Sequence, residues 1–148
     1  MRRYLTAIFA LLAICSCNRE QEPIANPLLD VTPTNIEGIW MLESFDNGKS
    51  LADGCFVYIE FFRTDSSYNL YQNLNSMYTE VKSGSYFIET DPELGAVIRG
   101  NYGTEEYNYF DWSHRYIVTL TADTMRWIAK DDQENVSTYV RVDSLPEM

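Results

Sequence analysis

The segment Phe56-Val57-Tyr58-Ile59-Glu60-Phe61-Phe62 decides the fold class of this chain. In an extended strand successive side chains point to opposite faces, so Val57, Ile59 and Phe61 share one face. The other face carries Glu60 among three aromatic rings. The first face is the better candidate for a core, and the aromatic second face also needs partial cover.

Similar runs rich in β-branched and aromatic residues recur about every ten residues from Ile36 onward, a spacing typical of an all-β sandwich or barrel. The links between them are short and rich in Asp, Asn and Gly, which favours antiparallel hairpins over parallel crossovers. No amphipathic helix of ordinary length is expected. The predicted strands cover residues 37–45, 55–63, 67–73, 78–90, 95–102, 106–112, 115–121, 124–130 and 136–142.

Apolar residues occupy both faces of most of these strands. Tyr116, Val118 and Leu120 oppose Ile117 and Thr119, for example. An open sheet with one wet face would expose too many of them, whereas a closed barrel with a filled or ligand-holding interior can cover them. The pattern therefore predicts an antiparallel up-and-down barrel of about 8 or 9 strands.

The stretch Ile14-Cys15-Ser16-Cys17 lies behind two arginines and a short apolar run, as in a secretory signal. It resembles the lipobox of bacterial lipoproteins, which implies cleavage before Cys17 and lipidation of its thiol. Residues 1–17 are then a signal peptide, and we expect a lipid-anchored protein of the cell envelope, in the outer membrane of a Gram-negative cell. Cys55 is left without an intramolecular disulfide partner.

Residues 18–35 are polar, contain three prolines and show no helix or strand period, so they are predicted to be a flexible tether before a barrel domain at 36–148. The acidic start of this tether is also compatible with a surface-sorting signal. Removal of Arg2 and Arg3 with the signal changes the formal charge from −11 to −13. Such a charge disfavours nucleic acid as a partner.

The predicted first strand contains Gly38-Ile39-Trp40, and the last contains Tyr139-Val140-Arg141. Together with the strand order, these residues resemble the lipocalins and the small lipocalin-like domains of bacterial lipoproteins. The resemblance implies that Trp40 closes one end of the barrel and that Arg141 packs over its indole, with Gly38 completing the motif. The second lipocalin motif, Thr-Asp-Tyr, and the Arg-x-Tyr carboxylate clamp of fatty-acid-binding barrels are both missing, so no particular ligand is implied.

Few residues suggest catalysis. His114 is the single histidine, which excludes a metal site built from several imidazoles. Asp111 could orient His114 as a base, but Ser113 beside it would point away in an extended segment. We therefore expect no catalytic residue, no metal and no cofactor.

Two features are candidates for ligand or partner contact. Glu60 would be a buried polar anchor if its face lined the interior, and an outward carboxylate otherwise. The aromatic stretch from 102 to 112 suits an amphipathic ligand, a protein interface or simple barrel closure. The first hypothesis is a binding module for a small apolar or amphipathic ligand, and the alternative is an envelope protein-interaction module or inhibitor with a packed barrel. The candidate residues of the aromatic stretch are Tyr102, Tyr107, Tyr109, Phe110 and Trp112.

Overall fold

The computed structural model describes residues 26–103 and 110–147. Within these ranges the chain forms one helical turn and nine strands. The elements are α1 (Pro33–Ile36), β1 (Gly38–Ser44), β2 (Val57–Phe62), β3 (Ser67–Gln72), β4 (Glu80–Asp91), β5 (Gly95–Tyr102), β6 (Phe110–Asp111), β7 (Tyr116–Leu120), β8 (Thr124–Ala129) and β9 (Val136–Val142).

Eight of the strands form a closed antiparallel barrel. Strands that follow one another along the chain pair, and β5 pairs with β7 past the short β6. The pairing of β1 with β9 and of β4 with β5 closes the sheet on itself. The short β6 pairs only with the end of β5, opposite Asn101 and Tyr102. The predicted all-β up-and-down barrel is confirmed, and its topology is consistent with a lipocalin-like barrel. No helix among the described residues is long and apolar enough to cross a membrane.

Strand alternation fills the interior as the sequence pattern requires. In β2 the side chains of Val57, Ile59 and Phe61 are buried, and the side chains between them are only partly covered. The same period places Met125 and Trp127 inside from β8. The most deeply buried large side chains of this core are Trp40, Tyr68, Tyr86, Phe61, Ile36, Ile98, Leu120 and Met125.

The end of the barrel formed by the start of β1 and the end of β9 is sealed, and we call it the closed end. Trp40 lies directly opposite Arg141 in the β1–β9 pairing, and the Arg141 guanidinium carbon lies 4.2 Å from the centre of the Trp40 ring. The contact expected from the lipocalin resemblance is therefore present. Gly38 has a φ of +117°, and a Cβ there would approach Arg141 Nη1 to 3.0 Å, so glycine suits this position both conformationally and sterically.

The second half of the expected tether lies against the barrel. Leu29 N–H donates to the carbonyl of Leu120 at 2.8 Å, and Leu29 and Val31 pack on the core. Thr32 then caps α1, whose first residue is Pro33. Residues 26–35 therefore belong to the folded unit rather than to a free tether, because the side chains of Leu29 and Val31 find cover on the barrel wall.

Candidate functional site

The end of the barrel opposite the closed end contains a cavity of about 230 Å³, which we call the mouth cavity. One wall comes from β2, β3 and the link that follows β3. It is mainly aliphatic, with Val57, Ile59, Leu70 and Leu74, and it also includes Tyr68 and Gln72 of β3. The facing wall is aromatic and consists of Tyr102, Trp112, Tyr116, Trp127 and Tyr139. The cavity is thus bounded by an apolar wall on one side and by rings that carry polar atoms on the other.

Three phenol hydroxyl groups converge on this cavity. Tyr102, Tyr116 and Tyr139 come from three different strands, and none of their hydroxyls has a hydrogen-bond partner among the described residues. Burial raises the pKa of Tyr116 to about 12, with a further contribution from Tyr102. Burial likewise raises the pKa of Tyr139, and Tyr116 and Tyr102 add to that shift. These phenols are therefore uncharged at physiological pH and close enough to influence one another.

Two further polar side chains lie at the same end. Trp127 Nε1 is buried and has no hydrogen-bond partner within the described part of the chain. Gln72 is buried in the cavity wall, and its Nε2 donates to Glu80 Oε2 at 3.0 Å. A buried donor without a partner is costly in a folded protein, so such groups mark places where another molecule can supply an acceptor.

Trp112 narrows the cavity by folding in from the segment that follows β6. Its backbone N–H donates to the Gly100 carbonyl at 2.8 Å, and its Nε1 donates to the Tyr68 hydroxyl at 2.7 Å. The indole stacks on Trp127 with ring centres 5.6 Å apart. It also rests on Gly100, where a Cβ would lie 2.5 Å from the ring, so a glycine is needed for this close approach.

The rim of the mouth cavity is apolar and exposed. The link between β3 and β4 and the start of β4 carry four of the large apolar side chains that are most open to solvent, and Leu74 also reaches the cavity lining. Met77 and Tyr78, at 93% and 81% exposure, are the extreme cases. Exposed apolar groups beside a cavity are typical of binding surfaces. The rim residues are Leu74, Met77 and Tyr78, whereas Val81 lies on the outer face beside its strand partner Tyr71.

The sequence candidates lie in different places. Tyr102 and Trp112 line the mouth cavity, whereas Phe110 is 66% exposed on β6 and takes no part in the lining. Tyr107 and Tyr109 lie outside the described residues. The sequence therefore located two of the aromatic wall residues among its candidates.

Glu60 lies on the outer wall, because its neighbours Ile59 and Phe61 point inward. The Tyr71 hydroxyl donates to Glu60 Oε2 at 2.9 Å, and Asn69 in turn donates to the Tyr71 hydroxyl at 3.2 Å. The alternative in which Glu60 anchors a ligand inside the barrel does not fit this placement. Its role is in a surface hydrogen-bond chain on β2 and β3.

A second, more polar depression of about 370 Å³ lies outside the barrel beside β5 and β7. Asp111, Ser113 and His114 all line it, but His114 Nδ1 pairs with Asp131 Oδ1 at 2.7 Å rather than with Asp111. The Ser113 hydroxyl makes no hydrogen bond with His114 among the described contacts, so a nucleophile and base are not paired here. The cationic groups that line it are paired with acids, Arg99 and Arg115 with Glu89 and Lys130 with Asp91.

Within residues 26–103 and 110–147, no group of three or more His, Cys, Asp or Glu side chains is placed to hold a metal ion. Comparison with known proteins finds no family model, no curated protein and no solved structure that matches this chain.

Sequence reasoning missed several of the residues that build the mouth cavity. Alternation places Tyr116, Trp127 and Tyr139 on the core faces of their strands, but it does not tell which end of the barrel each ring occupies. That position depends on the register between strands, such as Tyr116 opposite Ala129 and Trp127 opposite Ser137. The members of the cavity that were not among the candidates are Val57, Ile59, Tyr68, Leu70, Gln72, Leu74, Ser113, Tyr116, Trp127 and Tyr139.

Proposed function

We propose that this protein is a lipid-anchored lipoprotein of the bacterial cell envelope whose barrel binds a small amphipathic ligand in the mouth cavity without catalysing a reaction. The observation that supports it is a barrel sealed at one end by Trp40 and Arg141 and hollow at the other. Binding sites in small barrels lie in such mouths. The outer membrane of a Gram-negative cell is the proposed location.

The size of the cavity restricts the ligand. An apolar cavity of about 150 Å³ already holds benzene, whereas sites for drug-sized molecules begin at about 300 Å³. At about 230 Å³ the mouth cavity suits a compact ligand, or one end of a longer amphiphile. The exposed side chains of Met77 and Tyr78 would then cover the part that projects.

Absence of catalysis is proposed from the arrangement of the polar groups. The mouth cavity offers phenols, an indole N–H, the Gln72 amide and the Ser113 hydroxyl, and among the described residues none of these groups is paired with a base that would make it a ready nucleophile at neutral pH. His114 lines the outer depression and is held by Asp131, away from the barrel interior. Affinity rather than turnover is therefore the expected property.

Membrane attachment is proposed from the lipobox at residues 14–17. One acyl chain binds only marginally, but two or more make attachment effectively permanent. Cys17→Ala should move the protein from the membrane fraction to the soluble fraction of lysed cells, and Cys15→Ala, the matched control, should not. Wild-type protein found wholly in the soluble fraction would contradict the anchor.

Native mass spectrometry of the protein purified from its own cells tests the binding proposal. We expect a co-purifying small molecule that is lost in Leu74→Trp, where a larger ring at the rim fills the mouth. Leu28→Trp is the matched control, because Leu28 is also exposed, at 72%, but lies outside the cavity lining. Wild-type protein that carries no small molecule and takes up none from an extract of its own membranes would contradict the proposal.

The exposed rim favours one alternative, an envelope protein docked on the mouth. Leu74, Met77 and Tyr78 would then contact that protein rather than a small ligand. The same mass spectrum distinguishes the two, because a protein partner adds a stoichiometric mass in the kilodalton range. Such a mass, lost on Met77→Asp and with no small molecule bound, would replace ligand binding by this alternative.

A further inference from the structure

We propose that the mouth cavity selects uncharged ligands that carry oxygen, with the hydroxyls of Tyr102, Tyr116 and Tyr139 as hydrogen-bond partners for that oxygen. This inference rests on the proposed ligand-binding function and names the chemical class of the ligand. Three features of the mouth cavity support it: the lack of charged side chains in the lining, the hydrogen-bonding groups without partners and the difference between the two walls.

The lining argues against a charged ligand. Among the described residues, no Asp, Glu, Lys, Arg or His side chain lines the mouth cavity. An anion would enter without a counter-cation and against a chain of formal charge −11. A cation would enter without a carboxylate in the lining, and Glu80, which meets the wall at Gln72, is already engaged by the Gln72 amide. Burial of an unpaired ion costs far more than burial of a neutral polar group.

The hydroxyl groups argue for an oxygen-bearing ligand rather than a hydrocarbon. Tyr139 is only 8% exposed and lines the cavity, and its hydroxyl makes no hydrogen bond to another described side chain. A neutral phenol can both donate and accept, so the three hydroxyls can serve an alcohol, an ether or a carbonyl oxygen. The high pKa of Tyr116 and Tyr139 keeps these groups protonated and able to donate.

The opposite wall accounts for the remainder of such a ligand. Val57, Leu70 and Leu74 present only aliphatic carbon to the cavity. A ligand that directs its oxygen toward Tyr116 and Tyr139 therefore buries its hydrocarbon part against these three side chains, which lie beside Tyr68 and Gln72 of the same wall. The separation of the two walls makes the site amphipathic across its width.

Four probes of similar size test the inference: benzyl alcohol, ethylbenzene, benzylammonium and benzoate. Their dissociation constants are measured by NMR titration of the mature chain carrying Cys17→Ala, so that no acyl chain competes for the mouth. We expect both neutral probes to bind and the two charged probes to bind at least about tenfold more weakly than benzyl alcohol.

Removal of single hydroxyl groups gives the second readout. Tyr139→Phe or Tyr116→Phe should raise the dissociation constant of benzyl alcohol about fivefold, the equivalent of one hydrogen bond, and leave that of ethylbenzene unchanged. Tyr71→Phe is the matched control, because its hydroxyl lies on the outer wall beside Glu60. It should alter neither constant.

The outcomes separate this inference from the function on which it rests. If neither neutral probe binds, the binding function fails and the inference with it. If both bind but the phenylalanine variants affect them equally, or if a charged probe binds as tightly as benzyl alcohol, small-molecule binding stands and the inference is overturned.

Discussion

The two ends of this barrel use the same kinds of side chain in opposite ways. At the closed end, Trp40 Nε1 donates to the Ile36 carbonyl at 2.8 Å, and Arg141 donates from all three of its nitrogens to backbone carbonyls. At the mouth, Trp127 Nε1 is buried without a partner among the described residues, and Tyr139 lines the cavity. The closed end satisfies its polar atoms with internal hydrogen bonds, and the mouth leaves polar atoms available to a bound molecule.

This difference separates stability from binding. Burial of polar groups is tolerated when hydrogen bonds replace water, as around Trp40. Where those bonds are missing, the fold carries a cost that a bound molecule can relieve. Substitutions at the closed end should therefore change mainly the free energy of unfolding, and conservative substitutions at the mouth should change mainly ligand affinity.

The largest expected effect is at Trp40, which is fully buried. Trp40→Ala should lower the free energy of unfolding by about 3–5 kcal/mol, because it leaves a cavity and removes the ring beneath Arg141. Trp112→Ala, at the half-buried ring of the mouth, should cost less. Urea denaturation of both variants checks the comparison. Equal losses in the free energy of unfolding would show that the closed end does not contribute more to stability than the mouth.

A smaller loss of stability is expected from a substitution at Gly100. Gly100→Ala places a Cβ 2.5 Å from the Trp112 ring and should lower the free energy of unfolding by about 1–3 kcal/mol through overpacking. The same change in a Trp112→Leu background should cost less, because the obstructing ring is gone and only the Ser85 carbonyl oxygen, 2.8 Å from the added Cβ, still crowds it. If the double variant shows no such relief, Trp112 does not pack on Gly100 as described.

The next smaller effect is a loss of stability at alkaline pH, caused by the buried tyrosines of the mouth cavity. A tyrosine whose pKa is raised by folding contributes stability that is complete below its unfolded value near 10 and is lost as pH rises through its folded value. For Tyr116, with a folded pKa of about 12, that window is about pH 10 to 12. The urea midpoint should fall across it, and less steeply in Tyr116→Phe. Tyr78→Phe, at an exposed rim position, is the control and should follow the wild type.

The smallest effect is expected on the outer wall. Glu60→Gln keeps an acceptor for the Tyr71 hydroxyl and should change the free energy of unfolding by no more than about 0.5 kcal/mol. Binding of benzyl alcohol should be unaffected. A loss of binding in this variant would place Glu60 in the site after all.

Local patterns were sufficient to predict the barrel and most of its strands, because alternation and turn residues act over a few positions. They also located the Trp40–Arg141 contact through a motif resemblance. The mouth cavity could not be predicted in the same way, since it depends on how eight strands register around a closed ring. Trp112 is the clearest example. Its indole reaches the barrel interior because its backbone pairs with Gly100, twelve positions earlier, where the absence of a side chain leaves room for the ring.

The tether illustrates the converse error. Prolines and polar residues between 18 and 35 indicated a free spacer, yet Leu29 pairs with Leu120 and Pro33 begins a helical turn. The aliphatic residues Ile24, Leu28, Leu29 and Val31 of this segment show no helix or strand period, but Leu29 and Val31 are enough to pack on the barrel wall.

The three indole N–H resonances of Trp40, Trp112 and Trp127 provide the most direct test of a sealed end opposite a binding end. In a proton–nitrogen correlation spectrum titrated with benzyl alcohol, the Trp112 and Trp127 signals should shift while the Trp40 signal, held by Ile36, stays in place. A shift confined to Trp40, or no shift of the two mouth indoles at saturating probe, would contradict the account.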